Sequence, residues 1–213
     1  VPILFNVNRR YDMEAACKNV FEAADIAIEN GYNILILSDK GVNTDKAPIP
    51  ALLVASGLHH HLISKGTRMK VSIILESGEP REIHHFAVLL GYGVNGINPY
   101  LAYETIEEMC KDKSLDMPVS EALAHFRKAV TKGIVKIASK MGISTIQSYQ
   151  GAQIFEALGI SQHVVDTYFT GTVTRIGGLG IKDIEKDVLT RHRAAFDVVS
   201  SDDPLESGGT HKW

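Results

Sequence analysis

Cysteine is scarce in this chain. Cys17 and Cys110 are the only two among 213 residues, they lie far apart, and both fall in helical patterns. That excludes a disulfide framework and a zinc knuckle and suits a reducing compartment. No apolar run approaches the ~20 residues of a membrane-spanning helix. Charge of one sign is not concentrated anywhere. The 22 Lys and Arg against 25 Asp and Glu leave a formal charge of −3, with no basic stripe for nucleic acid and no acidic tail. Also missing are a fixed-length repeat, a P-loop, H-E-x-x-H, G-x-S-x-G and paired C-x-x-C. The usual signatures of several enzyme classes are therefore absent.

What the chain has is alternation. "PILFNV" (2–7), "NILILS" (33–38), "MKVSIIL" (69–75), "GINPY" (96–100) and "ISTIQS" (143–148) predict strands. Helices are expected over 12–30, from about 51 to 65, and over 80–90, 101–112, 118–141, 150–158 and 180–196. The helix opened by Pro118 has the clearest stripe, with Leu123, Phe126, Val130, Ile134, Ile137 and Met141 at steps of three and four. "NILILS" is nearly all apolar, as for a parallel strand covered on both faces. Residues 41–50 read as a loop, and 163–178 as irregular or partly strand. The fold class is α/β: a parallel sheet of about five strands with flanking helices. Five strands are too few for an eight-stranded barrel, so an open sheet or an incomplete (β/α) barrel is expected. The chain opens inside a strand pattern and closes in the polar "SSDDPLESGGTHKW", so it reads as a segment of something longer.

Three constellations could carry chemistry. Five of the nine histidines fall between His59 and His85. Ala51, Ala55, Leu58 and Leu62 set the inward stripe of their helix, which puts His59 and His61 at its margins and His60 towards solvent. Consecutive histidines fan out around a helix at roughly 100° per residue and cannot share an ion as an i,i+4 pair does. Boundary histidines with hydrogen bonds are favoured, and no metal is expected. The strand ends supply Asp39, Glu76, Asn98 and Gln147 at the edge where parallel α/β folds build sites. Asp39 and Glu76 on neighbouring strands could form an acid–base pair. The competing reading is that strands end in polar residues that meet water and cap the next helix. "TRIGGLGIKD" (174–183) has glycines ahead of a helix but fits no phosphate-binding motif, and a flexible connection is favoured.

Longer stretches carry a resemblance. "ILSDKG", "PIPALLVASGLHHHLISKG", "ESGEPREIHHFAVLLGYGVNGINPYLAYET", "KIASKMGISTIQSYQGAQIFEALGI", "YFTGTVTRIGGLG" and "RHRAAF" occur in this order. Together they resemble the large subunit of glutamate synthase over about residues 33–213. Lys40 stands where that family often has Arg, Gln150 where "QSYRGAQ" is usual, and Val173-Thr174 where "GTASR" is usual. The resemblance implies a central α/β domain over 1–160 and a connector over 161–213 towards a flavin-binding domain. It also implies a parent enzyme in the cytoplasm, or in a plastid stroma, that makes two L-glutamate from L-glutamine, 2-oxoglutarate and reductant. The parent's FMN, its iron–sulfur cluster and its amidotransferase nucleophile would lie outside this segment, which would hold no cofactor. Its partners would be the amidotransferase and flavin domains of the same chain, with a small subunit or ferredoxin serving the parent, and neither nucleic acid nor membrane. The role implied is a scaffold. The alternatives are a free-standing α/β enzyme with a strand-edge carboxylate site and a histidine-cluster metal sensor.

Overall fold

In the computed structural model, which describes residues 1–9 and 12–196, a small parallel sheet forms the centre. Its strands are β2 (Ile34–Ser38), β4 (Ser72–Glu76) and β5 (Gly96–Asn98), ordered β2-β4-β5. Two further strands, β1 (Leu4–Asn6) and β3 (Lys46–Pro48), pair antiparallel with Phe5 opposite Ala47. β6 (Glu156–Ile160) and β7 (Val173–Leu179) form a parallel ribbon with two irregularities in register. The described strands are thus seven in three sheets, rather than about five in one. The α/β class holds, with helices flanking parallel strands and no closed barrel among the described residues.

Helices fill the connections: α1 (Asp12–Glu29), α2 (Ala51–Ser64), α3 (Ile83–Gly91), α4 (Tyr100–Lys111), α5 (Val119–Lys140), α6 (Ile146–Tyr149), α7 (Gln162–Tyr168) and α8 (Ile181–Phe196). Strand alternation turns Leu35, Leu37, Ile73 and Leu75 into the core. They share it with Met13, Cys17, Val20 and Ala24 of α1 and with Val54, Ala55, Leu58 and Leu62 of α2. Residues beyond 160 join the same core through Val164, Val165, Tyr168, Ile181 and Val188. A second packing centre lies under α5, where Phe126 meets Phe86 and Tyr103 edge-on at 6.2 and 5.9 Å.

One glycine permits this packing. A Cβ on Gly57 of α2 would sit 2.8 Å from the rings of both Phe21 and Tyr168, so only glycine lets α1, α2 and α7 close together. The neighbouring Ser56 Oγ, fully buried, donates to the Tyr168 carbonyl at 2.6 Å.

Several expected elements differ. "ISTIQS" is not a strand: the Thr145 side chain accepts from the Ser148 N–H and starts the single turn of α6. Tyr149, fully buried, then fixes that turn by donating to the Ala87 carbonyl at 3.1 Å. The helix expected over 150–158 does not form, because Gln153 sits at φ 53 and the chain enters β6 instead. Residues 162–168 are helical, capped by Ser161 accepting from Val164. The loop over 41–50 contains β3. The strand expected from Met69 starts after a 3-10 turn, Arg68–Lys70. The first strand pairs antiparallel with β3 and meets the parallel sheet at its start, through the Pro2–Ser38 bridge and the Val1 amino group donating to the Ile36 carbonyl at 2.8 Å. β2 is not covered on both faces either: Ile34 and Ile36 remain 57% and 50% exposed.

Candidate functional site

The C-terminal ends of the central strands bring Glu76 and Asn98 into contact and place Asp39 next to them in a second set. Register places Ser38 beside Glu76 and Glu76 beside Asn98. Glu76 Oε2 accepts from Ser38 Oγ at 2.7 Å, and Oε1 accepts from Asn98 Nδ2 at 3.2 Å. Lys40 Nζ stands 3.3 Å from Oε1 and 4.9 Å above the Tyr100 ring centroid. The Ser38 hydrogen bond, with smaller help from Lys40 and Asn98, holds the Glu76 carboxyl below the usual range against its partial burial. This is a stabilised carboxylate, moved away from the neutral range where general acid–base work is done.

Asp39 lies one residue on and belongs to a separate set. It is 4% exposed. Its Oδ2 accepts from Ser77 Oγ at 2.6 Å and from the Gly78 N–H at 3.0 Å. Ser77 Oγ in turn accepts from the Glu79 N–H at 3.1 Å. These bonds pin the turn after β4, and the hydroxyl is turned to a carboxylate with no imidazole among its partners. Burial, followed by the hydrogen bond to Asp39, raises the Tyr100 phenol above its usual range. Gln147 is absent from this constellation. It is exposed on α6, because its segment is a helical turn and not a strand end.

Above these sets opens a cleft of about 600 Å³ bordered by Asp39, Glu79, Arg81, His85, Tyr100 and Arg191. Glu79, which sequence reasoning missed, accepts from the Ala51 N–H at the start of α2 at 3.0 Å. Desolvation pushes its carboxyl up although the residue as a whole keeps solvent contact, and the Ala51 bond opposes that rise. Arg191 is tied on its own helix to Asp187 at 2.8 Å.

The histidines are bound to their surroundings one by one. His59 Nδ1 accepts from Arg68 Nε at 2.8 Å. Arg68 also donates to the carbonyls of Val71 and Gly93, both at 2.7 Å, and to Asn95 Oδ1 at 3.0 Å. Burial, and then the adjacent guanidinium, lowers His59 to about 4. His61 Nε2 sits 2.9 Å from Asp25 of α1 and stacks on Phe21 at 5.2 Å. His60 is half-buried rather than turned to solvent, edge-on to His59, and burial lowers its pKa. His84 meets the Phe155 ring edge-on, and His85 Nδ1 accepts from the Arg81 N–H. Among the described residues no three His, Cys, Asp or Glu side chains gather to hold a metal ion.

Among the described residues, neither the cysteines nor the glycine-rich stretch offers a place for the cofactors that the resemblance brings up. Cys17 is fully buried in the core and Cys110 lies on α4, so they offer no shared iron–sulfur site. Gly177 and Gly178 of "TRIGGLG" are part of β7, where a side chain at Gly178 would collide with the Gly159 carbonyl of β6, and Gly180 follows the strand and gives its N–H to Asp183 Oδ2 at 2.8 Å. Gly178 lets the two strands close on each other, and the Gly180 N–H ahead of α8 is already taken by the Asp183 carboxylate. No described helix is long and apolar enough to cross a membrane.

Comparison with known proteins gives a consistent outcome. The sequence profile of the glutamate synthase central domain matches residues 1–161. The chain is 51% identical over 202 residues to the NADPH glutamate synthase large chain of Bacillus subtilis, covering 95% of this chain and 13% of that protein. It is 39% identical over 184 residues to the NADH glutamate synthase of Schizosaccharomyces pombe, covering 85% and 9%. Against the ferredoxin-dependent glutamate synthase of Pyropia yezoensis it is 41% identical over 206 residues, covering 91% and 13%.

Proposed function

This chain belongs to the glutamate synthase central-domain family, and from that premise we propose that it serves its parent enzyme as a scaffold. The parent converts L-glutamine, 2-oxoglutarate and reductant to two L-glutamate. An amidotransferase domain releases ammonia, and a domain carrying FMN and an iron–sulfur cluster consumes it. Residues 1–160, with residues 161–196 packed on the same core, hold those two parts at a fixed separation, so that the reactive intermediate stays out of water. Residues 161–213 lead on towards the flavin domain. The stretch 197–213 lies outside the described residues.

One observation carries the reading. Asp39 and Glu76, the carboxylates best placed for chemistry, spend their hydrogen-bonding capacity on Ser77, Gly78, Ser38, Asn98 and Lys40. Groups so bound stiffen the strand edge and leave little for a substrate. The relatives are named for NADPH, NADH or ferredoxin, yet all share this segment at 39% identity or more. A scaffold common to all three fits that better than a reductant-binding part does.

The test is Asp39→Asn and Glu76→Gln in the complete enzyme. Glutamine hydrolysis and glutamate formation should each stay within about threefold of the parent. Removing a general acid or base costs roughly 10²–10⁴-fold. A loss of that size, with flavin content and melting temperature unchanged, would assign the strand edge to catalysis and end the scaffold reading.

A further inference from the structure

The cleft above the strand edge takes no part in the scaffold reading, and two of its charges are left open. Its volume of about 600 Å³ is in the ordinary range for a small-molecule site. Glu79 and Arg81 line it from either side of Pro80, in the turn between β4 and α3. Glu79 Oε2 accepts from the Ala51 N–H at 3.0 Å. Its Oε1 makes no hydrogen bond or ion pair among the described residues, although desolvation already lifts this carboxyl above its usual range. Arg81 is the converse case. Its backbone N–H donates to His85 Nδ1, while its exposed guanidinium has no partner among the described residues. The neighbouring ions are engaged already, Asp39 by Ser77 and Gly78 and Arg191 by Asp187. Pro48, Pro50, Leu52, Leu89 and Leu101 make an apolar wall, and Leu101 is left 50% exposed.

We propose that this cleft binds a free α-amino acid with an apolar side chain. Its ammonium group sits on Glu79 Oε1, its carboxylate forks onto the Arg81 guanidinium, and its side chain lies on the proline–leucine wall. The open charges select this class. A dicarboxylate sets an anion against a carboxyl already short of solvent, and a diamine leaves the guanidinium bare. A molecule with both charges on one carbon satisfies both groups, and the wall accounts for its apolar body. The cleft holds this molecule and does not convert it. Its lining has no serine, threonine or cysteine, and its one phenol, on Tyr100, is bonded to Asp39 and raised well above its usual range. Arg191 brings α8 to the same cleft, so the bound molecule lies where the later helix meets the sheet edge.

The experiment uses the complete enzyme and radiolabelled L-leucine in equilibrium dialysis. The amidotransferase nucleophile is first alkylated by a glutamine-like diazoketone and 2-oxoglutarate is kept saturating, so that the parent's substrate sites are filled. One leucine should bind per large chain, with a dissociation constant below about 1 mM. Glu79→Gln keeps an acceptor for the Ala51 N–H, and Arg81→Met changes an exposed residue. Each should weaken binding at least tenfold, the size of one charge-assisted hydrogen bond. Isocaproate, which lacks the amine, and isoamylamine, which lacks the carboxylate, should each compete at least tenfold less well than unlabelled leucine. In the unsubstituted enzyme leucine should slow deuterium exchange in residues 48–53 and 78–85, a readout that needs no variant to fold. The proposal is overturned if no saturable binding is seen up to about 10 mM, if both variants bind like the parent, or if protection falls only outside those two segments. Isocaproate binding as well as leucine overturns the amino-acid class and makes the cleft a site for simple carboxylates.

Discussion

Replacing Arg68 with methionine removes one guanidinium and four hydrogen bonds at once. Arg68 ties His59 on α2 to the carbonyls of Val71 and Gly93 and to Asn95. Asn95 Oδ1 also accepts from the Ile73 N–H in β4, so one side chain clamps α2, the start of β4 and the turn into β5. Three of the four bonds are partly buried, and leaving each acceptor unpaired costs ~1 kcal/mol at the low end. The bond to Asn95 is exposed and contributes little. The expected loss is ~3 kcal/mol, or a fall of ~1–2 M in the urea midpoint at a slope of ~2 kcal/mol/M. Lysine carries its charge as a point and reaches fewer acceptors, so Arg68→Lys should lose about half as much. The variant also has a pH signature. With His59 lowered to about 4 in the folded chain, the unfolded chain binds the extra proton between about pH 6.5 and 4. Stability contributed by the neutral ring is therefore whole above pH 6.5 and erodes as pH falls through that window, by about 2 kcal/mol once solvent screening of the partly exposed ring is allowed for. Removing the neighbouring positive charge raises the His59 pKa and flattens that slope. Urea melts followed by circular dichroism from pH 7.5 to 4.5 read both effects. A methionine variant within 0.5 kcal/mol of the parent, or a lysine variant equal to it, refutes the clamp.

Two further outcomes follow from the packing. Gly57→Ala gains up to ~1 kcal/mol in helix propensity, yet it should destabilise by about 2 kcal/mol through collision with Phe21 and Tyr168; a stabilised variant in the same urea melt would show that α1 and α7 can give way. Burial raises the Cys17 thiol to about 12, so in native protein maleimide should modify the partly exposed Cys110 at least tenfold faster; equal rates would mean that α1 opens readily.

Much of this architecture is legible from residue order. The 3.6-residue spacing of α1, α2 and α5 and the apolar runs of β2 and β4 depend on local pattern, and the structure carries them close to the expected ranges. The differences cluster between Ile143 and Gly178. There, caps at Thr145 and Ser161 and a left-handed Gln153 decide the elements. A single side-chain hydrogen bond outweighs weak β propensity in short segments, and no periodicity announces it. Asp39, Glu76 and Asn98 can be placed at one edge because parallel strands end together. Gln147 cannot, since its placement depends on a strand that does not form. Glu79 is invisible because its partner is a backbone group 28 residues away, and Arg68 because its four acceptors lie on both sides of it at distances from 3 to 27 residues, which sequence spacing does not encode.

The bond from Ser56 to the Tyr168 carbonyl joins groups 112 residues apart, and that interval is also a time. At ~5–20 residues per second, a ribosome takes roughly 6–20 s to travel it. Throughout that delay the segment bearing Gly57 has already been made, with its notch lacking the aromatic ring and its hydroxyl lacking the acceptor that the folded chain supplies. The newborn chain must wait for its own later part before its first layers can lock, so slowing translation anywhere between these two points lengthens the period in which chaperones or proteases can reach it.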